Sequence, residues 1–338
     1  MTHRVAVVVL AWGKEPTLER CVESIRDSRG IDLELVVVDN GADPVVIDRI
    51  IDLGVDVLGP PINRGFTGGC NFGVAQTTAP VVALVNSDAF VEPDALAELA
   101  EVAVREDVGI ASASLRLAQS PETLNSAGNP IHFSGLTWSG SFGEPAANHP
   151  NEAEIPSATG AALAMRREVW DLLGGFDDAM FAYLEDTDLS IRCWQAGLAV
   201  RFVPSAIVLH DYEFGRNELK FYLLERNRLI LILTLYERRT LLLLAPGLLL
   251  VELAMTAQSI VGRWFGAKVR GWWWMVTHMG HVKARRRTAA STRQVHDGEW
   301  MNRVVGRIEP DNVARPPGMA LLNALLDGWW KLARRRLP

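Results

Sequence analysis

The chain has 338 residues, 49% of them hydrophobic and 22% charged, which supplies a large core and excludes a chain dominated by disorder. The net charge of -6 hides an uneven distribution, since residues 215–338 carry 21 Lys+Arg against 9 Asp+Glu and the acidic excess lies before them. Cys21, Cys70 and Cys193 are far apart and show no CxxC or Cys/His spacing, which excludes a zinc framework and a disulfide scaffold and points to a reducing, cytoplasmic compartment.

The N-terminal run "VAVVVLAW" is short for a signal-peptide core and passes into Gly13, Lys14 and Glu15 without a small-residue cleavage site. It reads as a first buried strand. In "PTLERCVESIRDS", Leu18, Val22 and Ile25 fall on one helical face while Glu19, Glu23 and Arg26 point away. "LELVVVD", a helical pattern near Ile47, "VDVLGP", the glycine-rich "NRGFTGGCNFGVAQ" and "PVVALV" follow. Strands alternating with helices predict βαβ units in a mostly parallel, Rossmann-like sheet with flanking helices. Such sheets bind ligands beyond the carboxyl ends of their strands, which singles out Ala11 and Trp12, Asp39 and Asn40, and Asn86, Ser87 and Asp88. Each cluster alone also reads as ordinary turn punctuation.

Residues 119–156 are rich in Gly, Pro, Ser and Asn and predict irregular structure or a hairpin. "SATGAALAMRREVWDLLGGFD", "YLEDTDLSIRCWQAG" and the strand-like "VRFVPSAIVLH" form a second block. Beyond Gly215 the chain turns helical, basic and rich in Leu and Trp, with seven of the 11 tryptophans. Its longest apolar run, Thr240–Gly262, has the length of a membrane span, but Glu252 interrupts it and Pro246-Gly247 is expected to break or kink it. Arg238, Arg239, Arg263, Lys268 and Arg270 flank the run, and the Trp272–Trp274 cluster follows, as in helices lying at a water–lipid boundary. A span, and a buried appendage or homo-oligomer interface, remain as alternatives. Charge alone would permit a nucleic-acid partner, but no recognition motif supports one.

The ordered set "VVVDNGAD", "NRGFTGGCNFG", "LVNSDAFVEPDAL", "ATGAALAMRREVWDLLGGFDDAMFAYLEDTDLSIRCWQAG" and "VPSAIVLH" resembles the family-2 glycosyltransferases of GT-A fold, particularly the bacterial rhamnosyltransferase-like branch. The resemblance covers residues 4–211. It implies a nucleotide-sugar-dependent catalytic domain over residues 1–214, followed by a basic, helical, membrane-associating extension over 215–338. "NSD" then stands where the family has its DxD motif, with Asp88 and His210 as ligands of Mg²⁺ or Mn²⁺ and Asn86 without the family's charge. Asp39 is implied as the contact to a uracil or thymine base, the alternative being an Asx turn at "DNG". Asn63, Gly65, Gly68 and Asn71 correspond to the family's diphosphate loop, and Trp12 and Ala11 replace its usual polar residues after the first strand.

By the same resemblance Asp186 is the base that deprotonates the acceptor hydroxyl, with Glu185 second. Both also read as first-turn acids complementing a helix dipole. Gly160, Arg192 and Trp194 are candidate acceptor contacts, although Asp188 and Arg192, four residues apart, equally read as a surface ion pair. The implied reaction is inverting transfer from a nucleotide-diphosphate donor, dTDP-rhamnose or a UDP-sugar, to a hydroxyl of a glycan or lipid-linked acceptor in cell-envelope polysaccharide assembly. The implied location is the cytoplasmic face of an anionic membrane. A nucleotidyltransferase is the enzymatic alternative, for which "LAWGKEPTLER" is a poor phosphate loop. A non-catalytic membrane-bound scaffold is the other, with Asn86 as a sign of decay.

Overall fold

The computed structural model describes residues 2–211, 217–310 and 318–338. Strand β1 (His3–Gly13), helix α1 (Leu18–Arg26), β2 (Ile31–Ala42), α2 (Pro44–Asp52), β3 (Asp56–Leu58), α3 (Gly65–Ala75), β4 (Val81–Asn86), β5 (Ala89–Val91), α4 (Ala95–Ala103) and β6 (Val108–Leu117) form the first half. β7 (Ser120–Ser126), β8 (Ala153–Glu154), β9 (Ala162–Arg166), α5 (Arg167–Leu173), α6 (Glu185–Gln195) and β10 (Ala199–His210) follow. The last part is helical: α7 (Glu218–Leu235), α8 (Arg238–Val261), α9 (Phe265–Thr277), α10 (Met279–Thr292), α11 (Asp297–Trp300) and α12 (Met319–Ala333).

The principal sheet runs in the order β3-β2-β1-β4-β9-β6-β10-β5. Its first four strands are mutually parallel, as are β6 and β10, but β9 runs antiparallel to both β4 and β6, and β5 runs antiparallel to β10. The sheet is therefore mixed, a correction to the mostly parallel expectation. β6 ends at the carboxyl rim, the hairpin to β7 and the irregular segment after it bring the chain to Ala161 beside Asn86, and β9 enters the sheet from that rim. A strand entering there must run backwards.

β1 shows the period-2 division of a strand covered on both faces. Val5, Val7 and Val9 pack with α1, α2 and α4 on one side, while Val8 and Leu10 pack with α3 on the other. On that second side one core runs without interruption from the sheet through α5 and α6 into Leu231, Leu244, Trp300 and Trp330 of the helical part. Phe133 stacks on Trp330 with centroids 5.7 Å apart, so the C-terminal helices are packed onto the sheet module.

Two further expectations are corrected. The glycine-rich stretch is a helix from Gly65 onward, because a Cβ at Gly69 or Gly73 would lie 2.2 Å from Leu10 or 2.5 Å from Val8, and glycine lets α3 sit directly on β1. Helix α8 runs unbroken through Pro246. Pro246 and Leu242 are both on its exposed face, so the carbonyl that proline leaves without a donor belongs to that face rather than to the core.

Candidate active site

β4 ends at Asn86, and the following turn sets Ser87 and Asp88 at the rim, all half-buried. Asp88 Oδ1 lies 3.1 Å from His210 Nε2, and His210 Nδ1 lies 3.1 Å from Asn125 Oδ1. Antiparallel pairing of β5 with the end of β10 brings His210 opposite Ala89 and so beside Asp88. A carboxylate and an imidazole nitrogen meeting at one point, with the other ring nitrogen directed at an amide oxygen, is the donor set and outer-shell arrangement that orients a ligating histidine. Together with diphosphate oxygens these two side chains fit Mg²⁺ or Mn²⁺, which commonly bind through few protein ligands. Among the described residues no group of three such ligands is present. Asn86 Oδ1 is buried there without a hydrogen-bond partner.

The rim is closed from the other side by α6. The Gly160 amide donates to Asp186 Oδ2 at 2.9 Å, and the Asn86 amide donates to Ala161 O at 2.9 Å, so Asp186 is tied to the strand end that carries Asn86. Asp186 Oδ1 accepts from the Thr187 amide at 2.6 Å. Asp186 keeps part of its surface, whereas Glu185 is buried with Oε2 unpartnered. Burial, then the charges of Asp186 and Asp188, push the Glu185 carboxyl up to about 8, and burial raises Asp186 against hydrogen bonds from the Thr187 amide and hydroxyl, the Gly160 amide and its own amide, which favour its ionised form.

The remaining candidates divide. Asn63 Oδ1 accepts from the Gly65 amide at 2.7 Å and from Asn40 Nδ2 at 3.0 Å, while Asn40 Oδ1 receives the Arg64 amide, so the buried Asn40 fastens the end of β2 to the start of α3. Asp39 Oδ1 closes an Asx turn on Gly41 and Ala42 at 3.0 and 2.9 Å, the local alternative for "DNG". Trp12 is 62% exposed at the rim beside Gly41, but Ala11 is fully enclosed and has no surface for a ligand. Gly68 lies against Arg64 in the first turn of α3.

Three assignments are corrected by burial and bonding. Asn71 spends its amide on Phe176 O (3.0 Å), the Phe176 amide (3.0 Å) and Asp178 Oδ1 (2.6 Å), stapling α3 to the loop after α5. Arg192 is buried, pairs with Asp188, and donates to Leu173 O and Gly175 O at 2.8 Å; it is neither an acceptor contact nor a surface pair. Trp194 donates to Pro156 O at 3.0 Å under a stacked Arg303 guanidinium, away from the rim. Sequence reasoning missed Glu15, which accepts from the Trp12 amide at 2.9 Å and bonds Ser87, and Asn125, which orients His210. Neither belongs to a local motif; Asn125 is 85 residues from its partner.

Residues 6–173 match the model of glycosyl transferase family 2. Over 219 residues the chain is 31% identical to the pre-mycofactocin glycosyltransferase of Mycobacterium tuberculosis, covering 62% of this chain and 43% of that protein. Over 70 residues it is 40% identical to the N-acetylglucosaminyl-diphospho-decaprenol L-rhamnosyltransferase of the same organism, covering 20% and 23%. The chain thus spans less than half the length of these curated relatives. Among solved structures the fold is shared with GalNAc-T7 bound to UDP, GalNAc and Mn²⁺ (TM-score 0.59, 18% identity, 70% of this chain and 49% of that one). It is also shared with the mannosyltransferase PcManGT of Pyrobaculum calidifontis bound to GDP-Man and Mn²⁺ (TM-score 0.51, 16% identity, 99% and 85%).

Proposed function

We propose, from the premise that residues 6–173 form a glycosyl transferase family 2 module of GT-A fold, that this chain is an inverting, metal-dependent glycosyltransferase. The observation that carries the reading is the Asp88–His210 pair at the strand ends, facing the same rim as Asp186. Asp88 and His210 would hold Mg²⁺ or Mn²⁺, which supplies Lewis-acid neutralisation of charge on a nucleotide diphosphate. Asn40, Asn63 and Phe181 O already take the Arg64, Gly65 and Thr67 amides at the start of α3, so those three amides fix the entry to the helix rather than serve as free donors to the diphosphate.

Asp186 takes the proton of the acceptor hydroxyl as its oxygen bonds to the anomeric carbon. The bond from that carbon to the diphosphate oxygen breaks, and the electron pair leaves on the nucleoside diphosphate. One displacement inverts the centre. The orphaned Oε2 of Glu185 is the observation favouring a second assignment of the base, although its burial keeps it from an incoming hydroxyl.

The donor favoured is dTDP-rhamnose or a UDP-sugar, and the acceptor a glycan or lipid-linked hydroxyl of cell-envelope assembly. The partial likeness to the diphospho-decaprenol L-rhamnosyltransferase supports both. Peripheral attachment to an anionic membrane on the cytoplasmic face is part of the proposal. Among the described residues α8 alone is long and apolar enough to cross a membrane, and Leu242, Leu249, Leu253 and Ile260 form an exposed stripe along it at helical spacing. Glu252 points the other way, into a buried network with Arg228 (2.5 Å), Lys268 (2.9 Å) and Trp272 Nε1 (2.8 Å). That arrangement favours a helix lying on lipid with one face on protein. The three free, buried thiols accord with a reducing compartment.

The test is calorimetry and product analysis with dTDP-, UDP- and GDP-sugars in Mg²⁺ or Mn²⁺. The expected result is metal-dependent donor binding, weakened in Asp88→Ala and His210→Ala at unchanged Tm, with release of nucleoside diphosphate. Release of pyrophosphate would identify a nucleotidyltransferase, and no binding of any nucleotide sugar would leave the scaffold reading.

A further inference from the structure

The four residues before the Glu185–Asp186 pair have an unusual backbone. Phe181 (φ 64), Tyr183 (φ 71) and Leu184 (φ 68) all occupy the left-handed region, which the Cβ of an L residue disfavours. Nothing in "FAYL" supplies a glycine or asparagine to ease it. Strain of this kind persists only where surrounding groups over-determine it, and it concentrates at functional sites.

The restraint comes from two places distant in sequence. On one side the Thr67 amide of α3 donates to Phe181 O at 3.1 Å, with Gly65 so close that a Cβ there would meet the same carbonyl at 2.4 Å. On the other side α7 contributes a buried Arg226-Asn227 pair. Asn227 Nδ2 reaches the carbonyls of Met180, Ala182 and Tyr183 at 2.9, 2.8 and 2.8 Å. Arg226 Nη2 donates to Ala179 O and Met180 O, both at 2.7 Å, and Arg226 Nε donates to Asn227 Oδ1 at 3.0 Å, which fixes the amide with its NH₂ towards the strained segment. Neither side chain has the solvent exposure of a ligand contact, Asn227 being fully enclosed.

We infer that Asn227, oriented by Arg226, is a positioning residue that holds the left-handed segment 181–184 and thereby sets the Glu185–Asp186 pair against Gly160 and the donor rim. The same segment bonds the first turn of α3, so the clamp also links the carboxylates to the start of that helix. The catalytic part of this inference rests on the glycosyltransferase reading; the structural part does not.

Asn227→Ala, and the milder Asn227→Ser should the first fail to fold, test it on the full chain. Hydrogen–deuterium exchange is the first readout. Amides of residues 180–188 are expected to exchange about 10-fold faster or more while the sheet keeps its protection, as for local opening of one segment. Unchanged exchange there in a folded variant overturns the clamp.

Turnover of the nucleotide sugar that the parent uses is the second readout. The expected loss is about 10²-fold in kcat, the scale of an angstrom-sized misplacement, with donor Kd within about twofold of the parent. Tyr183→Gly, which adopts positive φ without strain, should restore part of that loss when combined with Asn227→Ala. A kcat loss that follows Tm and is untouched by Tyr183→Gly overturns the positioning role. A parent inactive on every nucleotide sugar would defeat the proposed function, while the exchange readout would still decide the clamp.

Discussion

Glu185 and Asp186 are adjacent acids in different surroundings: Glu185 is enclosed with one oxygen unpartnered, and Asp186 keeps part of its surface. Glu185 is buried and its carboxyl is pushed up to about 8, above its ordinary 4.5. A carboxyl raised on folding binds its proton more tightly in the native state, so its contribution to stability is complete below pH 4.5 and is lost as pH rises through about 8. Glu185→Gln removes that loss. Thermal denaturation from pH 5 to 9 should therefore show Glu185→Gln gaining on the parent as pH rises, and parallel curves would contradict the raised carboxyl. Asp186→Asn keeps the shape but not the basicity, so donor affinity should survive while transfer falls by about 10²–10⁴-fold in initial-rate assays. A selective loss in Glu185→Gln instead would move the base one residue back. The residue types at this site were legible from "LEDTDL"; Arg192 was misread because spacing along a helix does not say which face is buried.

At the scale of elements, α3 is where local propensity and tertiary demand disagree. Glycines weaken an isolated helix by about 1 kcal/mol each relative to alanine, yet α3 needs them to lie on β1. Gly65 has the stronger requirement, with φ +70 and Phe181 O in the place of a Cβ. Gly65→Ala is expected to cost about 1–3 kcal/mol, seen as a lower urea midpoint at unchanged m, and to weaken donor binding because the first turn of α3 must move. An unchanged midpoint would show that the 181–184 segment yields freely. β9 teaches the complementary lesson: "ALAMR" is visibly a strand, but its antiparallel direction follows from where the excursion between Leu117 and Ala162 leaves the chain, which no short window of sequence contains.

For the whole molecule, the positive excess beyond residue 215 and the exposed apolar stripes share the same helices. α9 repeats the pattern of α8 with Phe265, Val269, Trp273 and Val276 exposed, and α12 is followed by a 3-10 turn of Arg334, Arg335 and Arg336. The protein should co-float with anionic liposomes, and high salt should weaken the binding, since exposed charge attraction is screened over about 8–10 Å at physiological ionic strength. Resistance to both salt and carbonate would indicate a span. Absence of flotation, with charged substitutions at Leu242 and Leu249 breaking an assembly, would indicate an interface between copies.

Sequence by itself determined the α/β alternation, the strand ends where polar residues gather, the acidic pair opening α6 and the change to basic helices, because each is a local or periodic pattern. Tertiary structure alone decided the rest. Glu252 could be seen to interrupt an apolar run, but only packing turns it inward onto Arg228 and Lys268 and leaves the opposite face of α8 unbroken. The resemblance names Asp88 and His210 together, but only the β5–β10 pairing brings these residues, 122 apart, into contact and sets Asn125 against His210, while the segment before Glu185 is held by Asn227 of a helix that carries no catalytic motif. Such pairings are set by which surfaces the burial of two opposite faces of one sheet brings together, and that is a property of the packed chain rather than of any stretch of it.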